Sequence, residues 1–375
     1  MSDSIFNNLF VLELANNHWG KINRGLKIVS DFARVVRFNN VHAAIKLQFR
    51  DVDSFVHKDF RDRPDIRYVK KTLDTHLSWD DLRRMVEAVR EAGMVTMVTP
   101  FDEVSVDKCV EFGVEILKIA SSDVRDKTLL AKIAGAGLPV IASSGGANLE
   151  HLDELVEFFT SRNVPFALNH CVSLYPSEDS DLELDQIDFL KGRYPHITIG
   201  LSTHEQRDWH DSMLIAYGKG ARTFERHIDI DYEGVPVSSY CTKPEQADIW
   251  FRAFKKAQEM CGNSGAKARR EVPEGERRYL DALVRGVYAK RDLAAGETLS
   301  RDNIYFSVPL LKGQISTREF VGGEVLTTPL AADRPLHIDI VDAPIKANRE
   351  LVALISDRGL ENEPVAAQIT VRAAS

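Results

Sequence analysis

The stretch ARTFERHI, residues 221–228, is the last of eight short β-type runs that alternate with helical patterns along the chain. The other seven runs are FVLELA (10–15), AAIKLQF (43–49), MVTMVTPF (94–101), EILKIAS (115–121), LPVIASSG (138–145), VPFALNHCV (164–172) and ITIGLST (197–203). Eight strands that alternate with helices predict an α/β fold of the (β/α)₈ TIM-barrel type. An open doubly wound sheet is the alternative, but no GxGxxG motif follows the first run to support a dinucleotide site.

The intervening segments show the spacing of amphipathic helices. SWDDLRRMVEAVREAG (78–93) repeats apolar residues at helical intervals, with Ser78 as the predicted N-cap and Asp81 three residues later. NLEHLDELVEFFTSRN (148–163) has the same character. Both segments therefore predict helices that pack on the outside of the barrel.

The sequence changes character after the barrel, which we predict to occupy residues 1–262. A stretch rich in Gly and charge follows, and we assign 263–283 as a linker. Residues 284–342 carry short β-runs separated by AAGE, LKGQ and VGGE, which predict a small β-rich domain. For residues 343–375 we predict a C-terminal extension, which is either one more helix and strand or a tail.

Composition excludes several classes of partner. The 375 residues carry a net charge of −8, which argues against nucleic acid or an anionic membrane as the main partner. The four cysteines are widely spaced and form no CxxC motif, and the N-terminal MSDSIFNNLFVLEL lacks the features of a secretory signal. No apolar run approaches the ~18 residues of a membrane span. We therefore predict a cytoplasmic protein with reduced thiols.

Polar residues concentrate at the carboxyl ends of the predicted strands, where TIM barrels carry their chemistry. They are Glu13, Lys46, Gln48, Thr99, Lys118, Ser121, Asp123, Ser143, Ser144, His170, Ser173, Tyr175, Ser202, His204, Glu225, Arg226 and His227. Lys46 and Lys118, with nearby serine hydroxyls, favour an anion-binding cradle. The alternative is that each lysine reaches a rim or pairs with a core glutamate.

Histidines and carboxylates at these ends suggest further chemistry. His204 and His227 end consecutive strands, so their imidazoles are expected to converge on a divalent metal, although two unrelated histidines would give the same pattern. Glu13, Asp123 and Glu225 are candidates for acid, base or metal partner, or for ion pairs with a lysine or arginine. His170 and His210 are read as structural. These residues predict a phosphorylated or carboxylated substrate without naming a reaction.

Eight ordered motifs resemble the bacterial sialic acid synthase family, which includes the legionaminic and pseudaminic acid synthases. They are ELANNHWG (13–20), AIKLQF (44–49), VTPFD (98–102), LKIASSD (117–123), IASSGG (141–146), HCVSLYP (170–176), GLSTH (200–204) and FERHI (224–228). Residues 284–342 resemble the antifreeze-like SAF domain that follows the barrel in that family.

The resemblance implies condensation of phosphoenolpyruvate with the open-chain aldehyde of an amino sugar, giving a 2-keto-3-deoxy sugar acid and phosphate. It implies that His204 and His227 hold Mn²⁺, with Mg²⁺ or Co²⁺ as alternatives, and that Glu13, Lys46 and Asp123 are catalytic. The residues implied to bind phosphoenolpyruvate are Lys46, Gln48, Thr99, Lys118, Ser121, Ser143, Ser173, Tyr175 and Ser202. It also implies a homodimer in which the small domain of one chain covers the barrel of the other.

Four departures from the family pattern concern the acceptor sugar. Asp123 replaces a Glu, Ser173 replaces an Asn, and GVPVSSYCTKPEQ (234–246) replaces an Asp-His-x-x-Ser element. In FSVPLLKGQ (306–314), Val308 stands where the family has an Arg that reaches the acyl group of the sugar, and Lys312 is a possible substitute. We therefore expect an acceptor other than N-acetylmannosamine, either an unusual amino sugar or another polyol aldehyde. The rivals are a metal-dependent pyruvate aldolase or lyase and a non-catalytic sugar-acid-binding protein.

Overall fold

A closed barrel of eight parallel strands, paired in chain order, forms the first part of the protein. The computed structural model describes residues 5–262 and 269–361. The barrel strands are β1 Leu9–Ala15, β2 Ala43–Phe49, β3 Val95–Pro100, β4 Ile116–Ile119, β5 Val140–Ser143, β6 Phe166–Cys171, β7 Thr198–Thr203 and β8 Thr223–His227. Strand β1 pairs with both β2 and β8, which closes the barrel. The predicted TIM-barrel fold is confirmed, and the open-sheet alternative is excluded.

Helices surround the barrel and connect its strands. They are α1 Ile22–Asn39, α2 Val52–Phe55, α3 Arg67–Asp74, α4 Trp79–Glu91, α5 Glu103–Glu111, α6 Lys127–Gly135, α7 Leu149–Thr160, α8 Asp185–Arg193, α9 Asp211–Lys219 and α10 Pro244–Cys261. The predicted cap of α4 is present, because the Ser78 hydroxyl accepts a hydrogen bond from the Asp81 backbone N–H at 3.1 Å. Among the residues that the structure describes, no helix is long and apolar enough to cross a membrane.

Alternation along the strands separates two apolar layers. Side chains such as Phe10, Leu12 and Ile45 point outward and pack beneath the helices. The intervening residues point inward and fill the lower barrel, forming an inner layer of Leu9, Val11, Ala44, Met97, Ile116, Ile141 and Ala167 with Phe6. The next inward position along each strand lies two residues further on, and there the side chains become polar.

The chain divides into two compact units, Met1–Gly265 and Ala266–Ser375. In the second unit, β9 Gly286–Ala289 pairs antiparallel with β10 Ile304–Ser307, and β11 Val325–Leu326 pairs with β12 Val341–Asp342. The segment predicted as a linker, 263–283, includes helix α11 Glu274–Asp281, while residues 263–268 lie outside the described residues. Helix α12 Arg349–Asp357 follows the last strand, and residues 362–375 lie outside the description.

Candidate active site

Four buried charges form a connected network at the inward-facing polar positions. Lys46 forms an ion pair with Glu13, and its ammonium lies 2.8 Å from Oε1 of Glu225. The Lys118 ammonium lies 4.0 Å from the same Glu225 oxygen and donates a hydrogen bond to the Ser143 hydroxyl at 2.6 Å. Five strands (β1, β2, β4, β5 and β8) therefore meet in one network. Both lysines have a glutamate nearby, and the two positive and two negative charges sum to zero.

The electrostatics of this network keep Lys46 and Glu225 ionised at neutral pH. Burial lowers the pKa of Lys46 to about 8, and the positive charge of Lys118 adds to this effect while Glu225 opposes it. Burial alone would raise the pKa of Glu225, but the charges of Lys118 and Lys46 lower it below its usual range. The Ser202 hydroxyl donates to Glu225 Oε1 at 3.3 Å, and Gln48 Nε2 donates to Glu13 Oε1 at 3.1 Å. The predicted residues Gln48 and Ser202 thus join the same layer.

Apart from the Glu13 oxygen that forms the ion pair with Lys46, two buried oxygen atoms near the network have no hydrogen-bond partner among the described residues. They are Oε2 of Glu225 and the hydroxyl oxygen of Thr99, which lies on the inward side of β3. An unpaired buried polar atom costs about 1–3 kcal/mol, so such atoms mark places where a ligand or water completes the pairing. Thr99, predicted from the sequence, therefore has an open hydrogen-bonding capacity.

A second group of hydroxyls gathers where β4, β5 and β6 end. The hydroxyl oxygens of Ser121 and Ser173 each lie 3.9 Å from the sulfur of Cys171. A Cβ at Gly145 would meet the Ser173 hydroxyl and would lie 2.7 Å from that of Ser121, so only glycine allows this approach. Ser144 does not join the group, because its hydroxyl accepts the backbone N–H of Cys171 at 3.1 Å.

His204 and His227 lie side by side, with ring centroids 5.4 Å apart. Nδ1 of His204 lies 3.0 Å from the carbonyl oxygen of Val172, and donation to that carbonyl would leave Nε2 with a free lone pair. Burial lowers the pKa of His204 to about 4 and that of His227 well below its usual value, so both imidazoles are neutral. Neutral imidazoles are the form that binds metal ions.

The histidine pair fits a divalent metal that keeps open positions. Within residues 5–262 and 269–361, no group of three or more His, Cys, Asp or Glu side chains is placed to hold a metal ion. Two imidazoles could supply the protein ligands, and water or substrate would complete the coordination. Donation from Nδ1 of His204 to the Val172 carbonyl would leave its Nε2 for the metal.

Aromatic rings border the histidine pair. Tyr175 packs on His204 with ring centroids 4.0 Å apart, and Tyr240 packs edge-on against His227 at 5.3 Å. The two tyrosine rings also contact each other at 5.4 Å. Tyr175 was expected here, but Tyr240 lies in the rewritten loop after β8 and carries no sequence signal of its own. Together they form one wall of the barrel mouth.

Asp123 and Arg50 lie on the opposite side of the mouth. Burial raises the pKa of Asp123, and its Oδ2 is a further buried oxygen that has no hydrogen-bond partner in the part of the chain that the structure describes. Arg50, which we did not predict, follows β2 and stacks its guanidinium 3.6 Å from the ring centre of Phe101. Burial lowers the pKa of Arg50 to about 10, against the opposing charges of Asp123 and Asp102, and the group remains a cation at neutral pH.

Several candidate residues stabilise the barrel mouth without facing the network. Arg226 points to the outside of the barrel, where its Nη1 lies 2.8 Å from Glu205 Oε1. Alternation explains this, because Glu225 and His227 take the inward positions on either side of it. His170 Nε2 lies 2.8 Å from the carbonyl of Leu182, and His210 Nδ1 lies 2.8 Å from a carboxylate oxygen of Asp211.

The second unit places the residues at the altered family motif on its surface. Val308 is 57% exposed. The Lys312 ammonium forms an ion pair with Glu361 at 2.6 Å, within the same unit. The side chain suggested as a substitute for the family arginine therefore has a carboxylate partner of its own.

Comparison with known proteins agrees with this architecture. A solved structure from Chromobacterium violaceum, provisionally named spore coat polysaccharide biosynthesis protein E, is similar with a TM-score of 0.85 and 35% identity, over 90% of this chain and 100% of that one. The N-acetylneuraminic acid synthetase of Leptospira borgpetersenii is similar with a TM-score of 0.63 and 26% identity, over 72% and 90% of the two chains.

Sequence comparison adds relatives that are named as sugar acid synthases. The N,N'-diacetyllegionaminic acid synthase of Campylobacter jejuni is 24% identical, over 85% of this chain and 98% of that protein. Residues 284–341 match the SAF domain model. Residues 39–265 match the model of the NeuB family, and the chain therefore belongs to the NeuB family, with a SAF domain after its barrel.

Proposed function

We propose that the protein condenses phosphoenolpyruvate with an open-chain sugar aldehyde, giving a 2-keto-3-deoxy sugar acid and inorganic phosphate. The observation that carries the proposal is the layer of Lys46, Lys118 and Ser143 beside His204 and His227. It combines cations and hydroxyls for a phosphate and a carboxylate with a metal-binding pair for an aldehyde oxygen. Membership of the NeuB family, whose named relatives make such acids, supports the same reaction.

The reaction makes a C–C bond and a bond from water oxygen to C2, and it breaks the C2–O bond to phosphate. The methylene carbon of phosphoenolpyruvate attacks the aldehyde carbon, the aldehyde oxygen takes a proton, and positive charge develops at C2. Water adds to C2 and loses a proton. The C2–O bond to phosphate then breaks, and the remaining hydroxyl proton passes to the leaving phosphate to give the ketone. Lys46 and Lys118 hold the phosphate and carboxylate in this scheme. Asp123 is the proposed proton acceptor, since burial raises its pKa and one of its oxygens is unpaired.

His204 and His227 are the proposed ligands of Mn²⁺, with Mg²⁺ and Co²⁺ as the alternatives. The ion would polarise the aldehyde carbonyl toward attack. Tyr175 and Tyr240 border the two imidazoles and restrict water at the mouth. Gln48 donates a hydrogen bond to Glu13, and Ser202 donates one to Glu225. These bonds fix the orientations of the two carboxylates, and the carboxylates in turn hold the ammonium groups of Lys46 and Lys118 in place.

The acceptor and the assembly are further proposals. The altered loop after β8 and the exposed Val308 support an acceptor other than N-acetylmannosamine. The family resemblance supports a homodimer in which the small domain of one chain covers the barrel mouth of the other. Sedimentation analysis of the purified chain tests the dimer, and a monomer at all concentrations would contradict it.

A phosphate-release screen tests the reaction. Protein loaded with Mn²⁺ is given phosphoenolpyruvate and a panel of aldoses and 2-acylamino sugars, and new acids are identified by mass spectrometry. We expect phosphate to appear together with a keto acid for at least one aldehyde. Condensation from free pyruvate without phosphate release would instead identify an aldolase. Binding without any turnover across the panel would favour the non-catalytic alternative.

A further inference from the structure

Three basic side chains near the barrel mouth have no role in the proposed chemistry, and we call Arg50, Arg67 and Lys71 the mouth cations. Arg50 follows β2, and the other two belong to α3 in the long connection between β2 and α4. None of the three has a carboxylate within 4.0 Å in the parts of the chain that the structure describes. The connection between β2 and α4 therefore contains three positive charges near the barrel mouth without a carboxylate partner, which suggests that they bind a ligand.

Three other basic residues in the same connection are paired, whereas Lys58, in the stretch before α3, has no carboxylate within 4.0 Å among the described residues. Arg61 pairs with Asp53, Arg63 with Asp65, and Lys70 with Asp74. These pairs are exposed and are worth little to stability, but they neutralise the charge of the segment locally. The mouth cations form no such pair among the described residues, although Asp123 and Asp102 act on Arg50 from beyond 4.0 Å.

Helix α3, which carries two of the mouth cations, lies next to the candidate active site. Thr72 of α3 and Thr75, which directly follows the helix, line a small cavity together with Asn16, Gln48 and Arg50. Gln48 is the residue that donates to Glu13 in the buried network. The helix therefore lies beside the carboxyl ends of β1 and β2, at the entrance to the site.

The charges of the mouth cations act on one another. Burial is the main cause of the lowered pKa of Lys71, and the positive charges of Arg67 and Arg50 add to it. Like charges that repel one another without a counter-ion are stabilised when an anion binds between them.

Arg50 has the geometry that recognises an oxyanion. Its guanidinium is stacked on Phe101, and a single hydrogen bond, from Nη1 to Gln48 Oε1 at 3.2 Å, is the one it makes to the described residues. A guanidinium carries five N–H groups in a planar fork, so most of them remain available. Such a fork suits a phosphate or a carboxylate.

We infer that the mouth cations bind an anionic group on the acceptor aldehyde, a phosphate ester or a carboxylate, above the strand ends. The inference rests on the proposed function. The depth of each cation in the barrel indicates which substrate it contacts. Lys118 is 1% exposed and lies where phosphoenolpyruvate is proposed to bind, whereas Arg67 and Lys71 are exposed at the entrance. The second substrate has to lie between the bound phosphoenolpyruvate and the entrance, next to these cations.

Matched pairs of aldehydes test this inference. The full-length protein with Mn²⁺ and phosphoenolpyruvate is given neutral aldoses, their terminal phosphates and the corresponding uronates. We expect kcat/KM to be at least about tenfold higher for a phosphate or a uronate than for its neutral counterpart. The two charged series show which anion is preferred. A preference for neutral aldehydes would overturn the inference and leave the proposed function intact, whereas no turnover with any aldehyde would refute both.

Variants then assign the effect to the mouth cations. Lys71→Ala and Arg50→Ala should raise KM for the anionic acceptor by about tenfold or more, since each removes one charge-assisted contact. Lys70→Ala is the matched control, because Lys70 is the adjacent lysine and is paired with Asp74. It should leave both KM values unchanged. A rise in KM for phosphoenolpyruvate, with the acceptor KM unaffected, would show that the mouth cations serve the first substrate and would overturn the inference.

Discussion

Replacement of Lys46 by methionine separates the structural and chemical roles of the buried network. Lys46 is 5% exposed and contacts both Glu13 and Glu225, so its removal leaves Glu13 without a cation and Glu225 with Lys118 alone. Breaking a buried ion pair costs about 3–5 kcal/mol. With about 2–4 °C per kcal/mol for a unit near this size, melting should fall by roughly 6–20 °C.

The same substitution should remove most of the activity, for a different reason. A positioned charge at a site closed to water contributes about 10²–10³ in rate. We therefore expect kcat/KM for phosphoenolpyruvate to fall at least about 100-fold, measured below the melting range by phosphate release. Titration with phosphoenolpyruvate should show weakened binding.

A double variant distinguishes the two effects. Lys46→Met with Glu13→Gln removes one charge of each sign, keeps the side-chain length of Glu13 and leaves Glu225 paired with Lys118. Most of the lost thermal stability should return, while the activity should not. Lys46→Met that keeps activity within tenfold of the unmodified protein would refute the assignment of Lys46. Recovery of activity together with stability in the double variant would show that the lysine acts only through folding.

Four further predictions follow from the remaining groups. His227→Ala should weaken Mn²⁺ binding by at least about tenfold in calorimetry, whereas His210→Ala should not, and equal effects would contradict the proposed ligands. Asp123→Asn should lower kcat about 10²–10⁴-fold with phosphoenolpyruvate affinity retained, and a normal kcat would exclude it as the proton acceptor. Because the Lys46 pKa is lowered to about 8, the ammonium is charged below that pH and neutral above it. The value of kcat/KM for phosphoenolpyruvate should therefore fall as the pH rises through about 8. A pH profile that stays flat to pH 10 would refute this. Arg24→Met should cost about 3–5 kcal/mol of unfolding free energy in urea, since it breaks a buried pair with Asp229, and a cost below 1 kcal/mol would contradict this.

Period-two alternation explains how much of the barrel and its site could be predicted from the sequence. Each of the eight runs contains a strand, and polar residues inside apolar runs, such as Lys46 and Lys118, lie on the inward layer. The same alternation separates Arg226 from Glu225 and His227, so its outward direction was available from spacing alone. Pairing partners were not available, because the contact between Lys46 and Glu225 depends on which strands become neighbours when the barrel closes.

Residues supplied by loops were harder to predict. Arg50 directly follows β2 and reads as an ordinary surface arginine until Phe101, from the next strand end, is placed beneath it. Tyr240 lies 13 positions after His227, in a stretch of turns that the sequence gives no reason to fold back over the barrel. The packing of Tyr240 against His227 arises only when the chain folds, so the sequence did not predict it. The same holds for the cavity between α3 and the ends of β1 and β2.

We propose that phosphoenolpyruvate binds at the end that keeps the family motifs and the acceptor at the end that departs from them, and the energetics of the two regions agree with this division. The four network charges sum to zero and are buried, so any single change there leaves an unpaired charge and costs several kcal/mol. Changes at exposed loop positions usually cost within ±0.5 kcal/mol. Substitution at exposed residues of the mouth such as Lys71 would therefore alter the proposed acceptor recognition without loss of folding. Substitution of the mouth cations would change the charge of the preferred acceptor at a smaller cost in stability than substitution of the buried network. The charge of the acceptor is therefore the first of its properties to test.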